Sequence, residues 1–267
     1  LRAGVVIGDA PMLDSLNHDG LQDPVSGQLM GTATDAGNAE RGITRAEQDE
    51  VAARSHQRAA AARTGGVLAE EIAPIEVPQR KGPALTLEHD EGIRPETTAE
   101  SLAQLRPAFS KDEAATITAG SSSPLSDGAA ALVIASKAAA EAAGLEWIAE
   151  IGAHGQTAGP DGSLHSQPAR AIERALKVEG LSVEDLDLVE INEAFASVLI
   201  QSANDLGIEA EAVNAEGGAI ALGHPVGASG ARLVLHQALA LKRRGGGTGV
   251  VALCGGGGQG DALILKA

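Results

Sequence analysis

A single cysteine, Cys254, stands in the chain, which excludes an internal disulfide framework and fits a reducing cytoplasm. Aromatic residues are nearly missing, with no Tyr, two Phe and one Trp, so any core has to be built from Ala, Leu, Val and Ile. Basic residues are outnumbered: 20 Lys and Arg face 36 Asp and Glu, for a net charge of -16 and an isoelectric point near 4.8. That balance argues against nucleic acid and anionic membrane as partners, and a polyanionic ligand has to find a local basic patch. No apolar run approaches the roughly 18 residues of a membrane span. No His, Cys and Asp residues cluster at ligand spacing, so no metal is expected. The opening residues, Leu1 to Asp9, have neither an initiator Met nor the basic-then-apolar layout of a signal peptide, and read as the middle of a protein.

What is present is a globular composition in 267 residues, enough for one large or two ordinary domains. The first third is turn-rich, punctuated by Asp19-Gly20 and Asp23-Pro24. Thr44-Arg-Ala-Glu47 forms a capping box for a helix that runs to about Arg63 and stops at Gly65-Gly66. Pro74, Pro78 and Pro83 leave at most short edge strands up to Leu87, and Glu96 to Leu105 forms another short helix. From Ala115 the texture changes. Thr116 to Gly120 and Ala129 to Ile134 read as strands or buried segments, and Lys137 to Ala143 as a helix ended by Gly144. Strands follow at Trp147–Ala153, Asp187–Ile191, Val250–Cys254 and Ala262–Lys266. Helices fall at Gln167–Val178, Glu193–Leu206 and Ala231–Arg244. This alternation predicts an α/β layered fold whose sheet is mostly parallel and covered on both faces, with the last two strands antiparallel across a glycine loop.

Two stretches carry chemistry. Gly217-Gly-Ala-Ile-Ala-Leu-Gly-His-Pro-Val-Gly-Ala-Ser-Gly230 places His224 in a glycine-rich turn just before an amphipathic helix, so backbone lines the space around the imidazole. Cys254-Gly-Gly-Gly-Gly-Gln-Gly260 delivers the thiol from a buried-strand pattern into glycines whose amides can point at an anion. A thiol, an imidazole and free amides together suggest acyl chemistry. The glycine run is not a nucleotide-phosphate loop, because it lacks the Lys-Ser/Thr pair and opens a strand rather than a helix. Asn192 is a candidate N-cap for the helix from Glu193, a role compatible with a second one in a site. For His18, His56, His89, His154 and His236 a solvated or hydrogen-bonded surface role is expected.

With Asn192-Glu-Ala-Phe-Ala196, these stretches resemble the thiolases in order and spacing, and the resemblance runs from Leu1-Arg-Ala-Gly4 to Ala262-Leu-Ile-Leu265. It implies the thiolase layered fold: one complete C-terminal βαβαβαββ half at 149–267, the coenzyme A-covering loop domain at 1–125, and a terminal strand-helix scrap of the N-terminal half at 126–148. It implies that Cys254 is the acid/base cysteine, that Gly256 donates an oxyanion-hole amide, and that His224 activates a nucleophilic cysteine and polarises the thioester carbonyl with a water held by Asn192. A thiol of ordinary pKa about 8.5 serves in both directions if amides and an imidazole lower it modestly.

The resemblance further implies that Ser123, Ala119, Ser101 and Phe109 line the pantetheine arm, that Arg94 lies beside the nucleotide end, that Leu21 and Met30 wall the acyl pocket, and that Phe195 is a further substrate-binding residue. For Ser101 and Phe109, ordinary loop chemistry weighs nearly as much. The sequence departs from the family pattern at Leu29, at Pro124 and in Gly162-Ser-Leu-His-Ser-Gln-Pro168. The implied activity is Claisen condensation of two acetyl-CoA to acetoacetyl-CoA, or thiolytic cleavage of 3-ketoacyl-CoA, with acyl-CoA and free CoA as partners, no further cofactor, and a homo-oligomer. Thiolases acylate a cysteine of the first fold copy, and no second cysteine is present here. The chain alone is therefore expected to be inactive: a family fragment, one half of a split enzyme, or a non-catalytic CoA-binding module.

Overall fold

The computed structural model describes residue 9 and residues 11–267; Leu1 to Gly4, where the resemblance begins, lie outside them. After a π-helical turn at Leu16–Leu21 comes α1 (Met30–Arg41), a helix the sequence pattern does not announce. Its buried face is Gly31, Thr34, Asp35 and Asn38, so no apolar stripe marks it. Next, α2 (Arg45–Thr64) starts at the expected capping box, with the Thr44 hydroxyl and the Glu47 carboxylate each closing on the other's backbone amide. The proline-rich stretch gives only β1 (Ile75–Val77) and β2 (Leu85–Leu87), an antiparallel pair. The helix expected over Glu96–Leu105 shrinks to α3 (Ala99–Leu102).

Of the two stretches read as strands or buried segments, neither forms a strand, though the first buries Ile117 and Thr118. Thr116 to Gly120 is a turn whose amides go to side chains: Asp35 Oδ1 accepts from Thr116 N at 2.7 Å and from Ile117 N at 3.1 Å. Ala129 to Ile134 forms no regular element and pairs with no strand, and Val133 and Ile134 are exposed. An apolar run becomes a strand only where a neighbour completes its ladder, and none of the described residues does so. Helix α4 (Lys137–Ala142) follows as expected, capped by Ser136 and ended by Gly144 in the left-handed region.

The rest is one sheet between helices: β3 (Glu150–Ala158), α5 (Gln167–Glu179), β4 (Leu188–Ile191), α6 (Ala196–Leu206), α7 (Ala219–Leu222), α8 (Ser229–Arg244), β5 (Thr248–Gly255) and β6 (Gln259–Lys266). The strand order is β3-β6-β5-β4. Strands β3, β4 and β5 point the same way and β6 opposes them, so only β4 and β5 pair in parallel. The expected mostly parallel sheet holds for direction but not for pairing, because the tight β5–β6 hairpin puts a reversed strand between β5 and β3. Of the expected βαβαβαββ half, the third strand is reduced to one parallel bridge, Val189 to Val213.

Period-2 alternation distributes the core over both faces of this sheet. Val250, Ala252, Ala262 and Ile264 pack with α5 and α6, while Val251, Leu253, Leu263 and Leu265 pack with α8. The amphipathic stripes of α5 and α8 are thus each satisfied, giving a helix-sheet-helix sandwich whose parallel strands end at one edge. The expected helix from Glu193 begins three residues later, with Phe195 as its N-cap.

Candidate active site

The site forms where β4 and β5 run out together. Ile191 lies opposite Ala252, and the next amide, Asn192 N, donates to Ala252 O at 2.9 Å. Beyond this edge the chain turns, Ala194 N donating to Asn192 O at 3.0 Å, in the crevice outside the carboxyl ends of parallel strands where α/β folds place ligands. Asn192 is therefore not a helix cap: its side-chain amide faces His224, with Nδ2 3.3 Å from Nε2. On the other side of the ring, Nδ1 lies 2.6 Å from Ser229 Oγ, whose hydroxyl donates to Pro225 O at 3.0 Å. With that hydroxyl hydrogen committed, Nδ1 carries the proton and donates to Ser229, while Nε2 keeps its lone pair toward Asn192. Burial lowers the pKa of His224 and the nearby Arg232 charge adds to this, so the imidazole is neutral near pH 7. Asn192 Oδ1 is buried without a hydrogen-bond partner and is available to a donor.

Gly223 makes this placement possible. Its φ of 96° lies in the left-handed region, and a Cβ there would collide with Ser126, whose hydroxyl accepts from His224 N at 3.3 Å.

Cys254 stands opposite Gly260 on the hairpin and packs with Ile117, Leu164, Phe195 and Val198, together with Met30, Phe109 and Ala194. Although half-buried by surface, the thiol sits among apolar atoms, and desolvation pushes it up to about 12. The condition set for service in both directions, a modest lowering, is not met: burial outweighs the backbone hydrogen bond at Cys254 that would lower the thiol. Phe109 and Phe195 meet edge to face, with ring centroids 5.6 Å apart and planes at 88°. Gly256 follows the thiol, 3.1 Å from Met30 Sδ when given a Cβ, so any larger residue would press on that methionine.

Of the expected lining residues, Met30, Phe109 and Phe195 are brought to Cys254, and Ser123 reaches the same segment through Ala194 O, to which its N and Oγ donate at 3.1 and 3.2 Å. Ala119 lies exposed on the neighbouring turn. Leu21, on the π-helical turn, is not part of the apolar cluster around the thiol. Ser101 is committed to a capping box, its hydroxyl donating to Thr98 O at 2.8 Å and accepting from Thr98 N at 3.1 Å. Arg94 has an exposed side chain, and its backbone amide donates to His56 Nδ1 at 3.2 Å.

Two of the supposedly solvated histidines are buried. His56 is held down at about 4 by burial and by the Arg94 charge. His236, on α8, lies between Glu71 at 3.1 Å and Glu216 at 3.2 Å. Burial alone would lower it, but the Glu71 hydrogen bond and the Glu190 and Glu71 charges more than offset this and raise it. Beside it, burial pushes Glu190 up to about 7. Helical position alone did not mark these residues, because the acids that pair with His236 come from distant segments. Ser229 and Glu193 were also missed, although both lie inside the motifs that carry the resemblance.

The geometry defines an α/β sandwich with an Asn-His-Ser hydrogen-bond line and a desolvated thiol at the end of its parallel strands. The family model described as "Thiolase, N-terminal domain" matches residues 1–138 and that described as "Thiolase, C-terminal domain" matches residues 145–267. The chain belongs to the thiolase family of acyltransferases and has the thiolase fold. Residues of both thiolase domains are present.

A protein of Mycolicibacterium smegmatis named probable acetyl-CoA acetyltransferase is 57% identical over 265 residues, covering 99% of this chain and 68% of the relative. The crystal structure of the Bacillus anthracis acetyl-CoA acetyltransferase superposes with a TM-score of 0.93 at 38% identity, covering 100% of this chain and 66% of that one. Human mitochondrial 3-ketoacyl-CoA thiolase superposes with a TM-score of 0.90 at 35% identity, again covering 66% of the longer chain. The chain thus spans about two thirds of the length of these relatives. Among the described residues no three His, Cys, Asp or Glu side chains gather as a metal set, and no helix is long and apolar enough to cross a membrane.

Proposed function

We propose that this chain supplies the proton-handling part of a thiolase-type acyl transfer, acting on acetyl-CoA and 3-ketoacyl-CoA thioesters. The observation that carries the reading is the Asn192–His224–Ser229 line at the sheet edge where Cys254 ends β5. In cleavage, the bond between the α and β carbons of the 3-ketoacyl-CoA breaks, the acyl group passes to a nucleophilic thiol, and the acetyl-CoA enolate takes the proton of Cys254. In condensation the steps reverse: the Cys254 thiolate removes a proton from the acetyl methyl, and the carbanion attacks the acyl thioester carbonyl. A thiol raised by burial rests neutral near pH 7, which suits the proton donor of the cleavage direction. The Gly256 amide faces the enolate oxygen. His224 Nε2, holding a lone pair, takes the proton of the nucleophile and returns it as a hydrogen bond to the thioester oxygen.

The 267 residues contain one cysteine, which this scheme uses as acid/base, so the acylated thiol comes from outside them. Ser123, Ala119, Ser101, Phe109 and Arg94 are proposed to line the coenzyme A arm, with Met30, Leu21 and Phe195 toward the acyl group. A second reading, one half of a split enzyme that needs a partner chain, is favoured by the unpaired apolar run at 129–134, where Val133 is 101% exposed.

The test is thiolysis of acetoacetyl-CoA, followed by loss of enolate absorbance, with the chain alone and then mixed with a separately expressed N-terminal half of a thiolase. The expected result is turnover only on mixing, reduced on the order of a hundredfold or more by His224→Ala or Cys254→Ser. Turnover by the chain alone, scaling with its concentration, would remove the need for an outside thiol. A folded chain inactive in every mixture, yet binding CoA, would leave a binding module.

A further inference from the structure

The residue after Asn192 has no part in the scheme above, yet it is the most heavily bonded carboxylate near the site. Glu193 is 2% exposed, and its two oxygens accept three hydrogen bonds from three parts of the chain. Ser55 Oγ, on α2, donates to Oε2 at 2.6 Å. Ile220 N, on α7, donates to the same oxygen at 3.0 Å, and Asn214 Nδ2 donates to Oε1 at 2.9 Å. Ser55 Oγ in turn accepts from Gly218 N at 3.1 Å. The turn from Gly217 through α7 to His224 is therefore fastened to the carboxylate at Ile220 and, through Ser55, at Gly218.

The glycines of that turn fit the clamp. A Cβ on Gly218 would land on the Glu193 carboxylate, and one on Gly217, whose φ is 91°, would strike the α2 backbone at Ser55 and Ala59. Asn214 belongs to the same assembly: it is the one non-glycine among the described residues with a positive φ, 54°. Its side chain extends the sheet by accepting from Ile191 N and donating to Ile191 O, each at 2.8 Å. Both sides of the Asn192–His224 contact are thereby referred to one carboxylate. Asn192 is its chain neighbour, and His224 lies one short step beyond Ile220.

We propose that Glu193 is a positioning residue for acyl transfer, clamping the glycine turn so that the His224 ring stays against Asn192. This rests on the reading of Asn192 and His224 as carbonyl-polarising groups. A neutral amide cannot accept all three bonds as the carboxylate does: with its oxygen toward Ser55 and Ile220 its NH2 faces the Asn214 Nδ2 donor, and with the amide flipped its NH2 faces the Ile220 amide and the Ser55 hydroxyl. Misplacement of a reacting group by about 1 Å can cost about a hundredfold in rate, so loss of the clamp should appear in kcat rather than in binding.

The experiment compares wild type with Glu193→Gln and Ser55→Ala by two readouts. The first is the NMR titration of the His224 ring in the 267-residue chain, assigned by the peak missing in His224→Ala; it requires no turnover. The second is thiolysis in the mixture with the N-terminal half. In wild type His224 should titrate below the ordinary imidazole value; in Glu193→Gln it should move up as the turn loosens and the ring meets water. The kcat should fall about ten- to a hundredfold with KM changed less than about twofold. Ser55→Ala should move both readouts the same way by less, and it decides the matter should Glu193→Gln not fold. An unmoved His224 titration with wild-type kcat overturns the clamp. A moved titration without turnover in any mixture supports the clamp while the acyl-transfer reading fails; normal turnover with an unmoved titration does the reverse.

Discussion

In residues 150–267 the strands β5 and β6 send alternate apolar side chains to α5 and α8, and backbone ladders hold the register. In residues 11–145 the described contacts are of another kind. Apolar contacts are present, with Ile43, Val51, Ala52 and Leu102 in the main core and Ile117, Met30 and Phe109 in the cluster around Phe195, but between them the segments are fixed by polar side chains reaching across the fold. Asp35 binds the amides of Thr116 and Ile117, Asn38 Oδ1 meets His165 Nε2 at 2.8 Å, and Ser55 reaches Glu193. The first region is stabilised by area removed from water, the second by buried groups that must each be matched. Truncations should therefore cost most in the sandwich, and single-bond deletions should cost most where a long-range polar contact is cut.

The largest effect is expected from Ile264→Ala, in a fully buried position between the sheet and α5. Removing three carbons there should cost about 2–5 kcal/mol in urea unfolding. A value under 1 kcal/mol would show that the sandwich relaxes to fill the gap and would weaken the contrast. On the other side, Arg58→Ala removes the guanidinium that donates to Val213 O at 2.7 Å, Glu211 O at 2.6 Å and Asn214 O at 3.2 Å. Burial, followed by the Arg54 charge, lowers this group, so its guanidinium is already partly desolvated. Leaving carbonyls unmatched should cost about 1–3 kcal/mol by the same melt. A cost equal to that of Ile264→Ala would place the polar seam on a par with the core.

The same contrast explains what could be read from the chain. Helix α2 was legible from its capping box Thr44-Arg-Ala-Glu47 and α4 from its stop at Gly144, while α5 and α8 were legible from their apolar spacing. Helix α1 was not, since Thr34, Asp35 and Asn38 face inward and their partners lie far away in sequence. Ala129 to Ile134 misled for the opposite reason: its composition is that of a strand, but a strand is a property of two segments. At the candidate site, His224 and Cys254 were marked by their glycine motifs. Their supports, Ser229 and Glu193, were not, because a serine or glutamate in a motif gives no sign of which atom it holds. Nor did position in the sequence foretell the thiol's environment, since Met30, Phe109 and Ile117 come to Cys254 from separate turns.

Between the two regions lies a buried charge cluster that links them: Glu71 of the first reaches His236 of the second, beside Glu190 and Arg232. Burial raises Glu190 from 4.5 to about 7, and His236 is raised as well. A raised folded-state pKa means that the folded protein binds the extra proton, so this stability is present below the unfolded value and lost as pH rises through the folded one. The groups facing Glu190 are His236, Arg232, Glu193 and Glu216, and only a proton on the acid avoids a further buried negative charge. Wild type should lose stability between about pH 4.5 and 7 from this residue, with a limiting slope of about 1.4 kcal/mol per pH unit. Glu190→Gln should flatten that slope, as read from urea midpoints across the range. An unchanged slope would place the titration elsewhere.

The smallest effect sharpens the comparison because it is local on both sides. Thr44 caps α2 by accepting from Glu47 N at 3.2 Å, while Glu47 accepts from the Thr44 amide at 2.7 Å. The Thr44 hydroxyl, more than the Thr44 amide, holds the Glu47 carboxyl below its ordinary value, so the cap should weaken as pH falls through that lowered pKa. Thr44→Ala should cost about 1 kcal/mol at pH 7 and less once the pH has fallen below the lowered Glu47 value. Because α2 also carries Ser55 and Arg58, fraying of its first turn should not reach the clamp three turns on. Hydrogen exchange should then quicken at the amides of 45–48 and stay unchanged at Ile220. Faster exchange at Ile220 would mean that α2 moves as one body and that the polar seam depends on its cap.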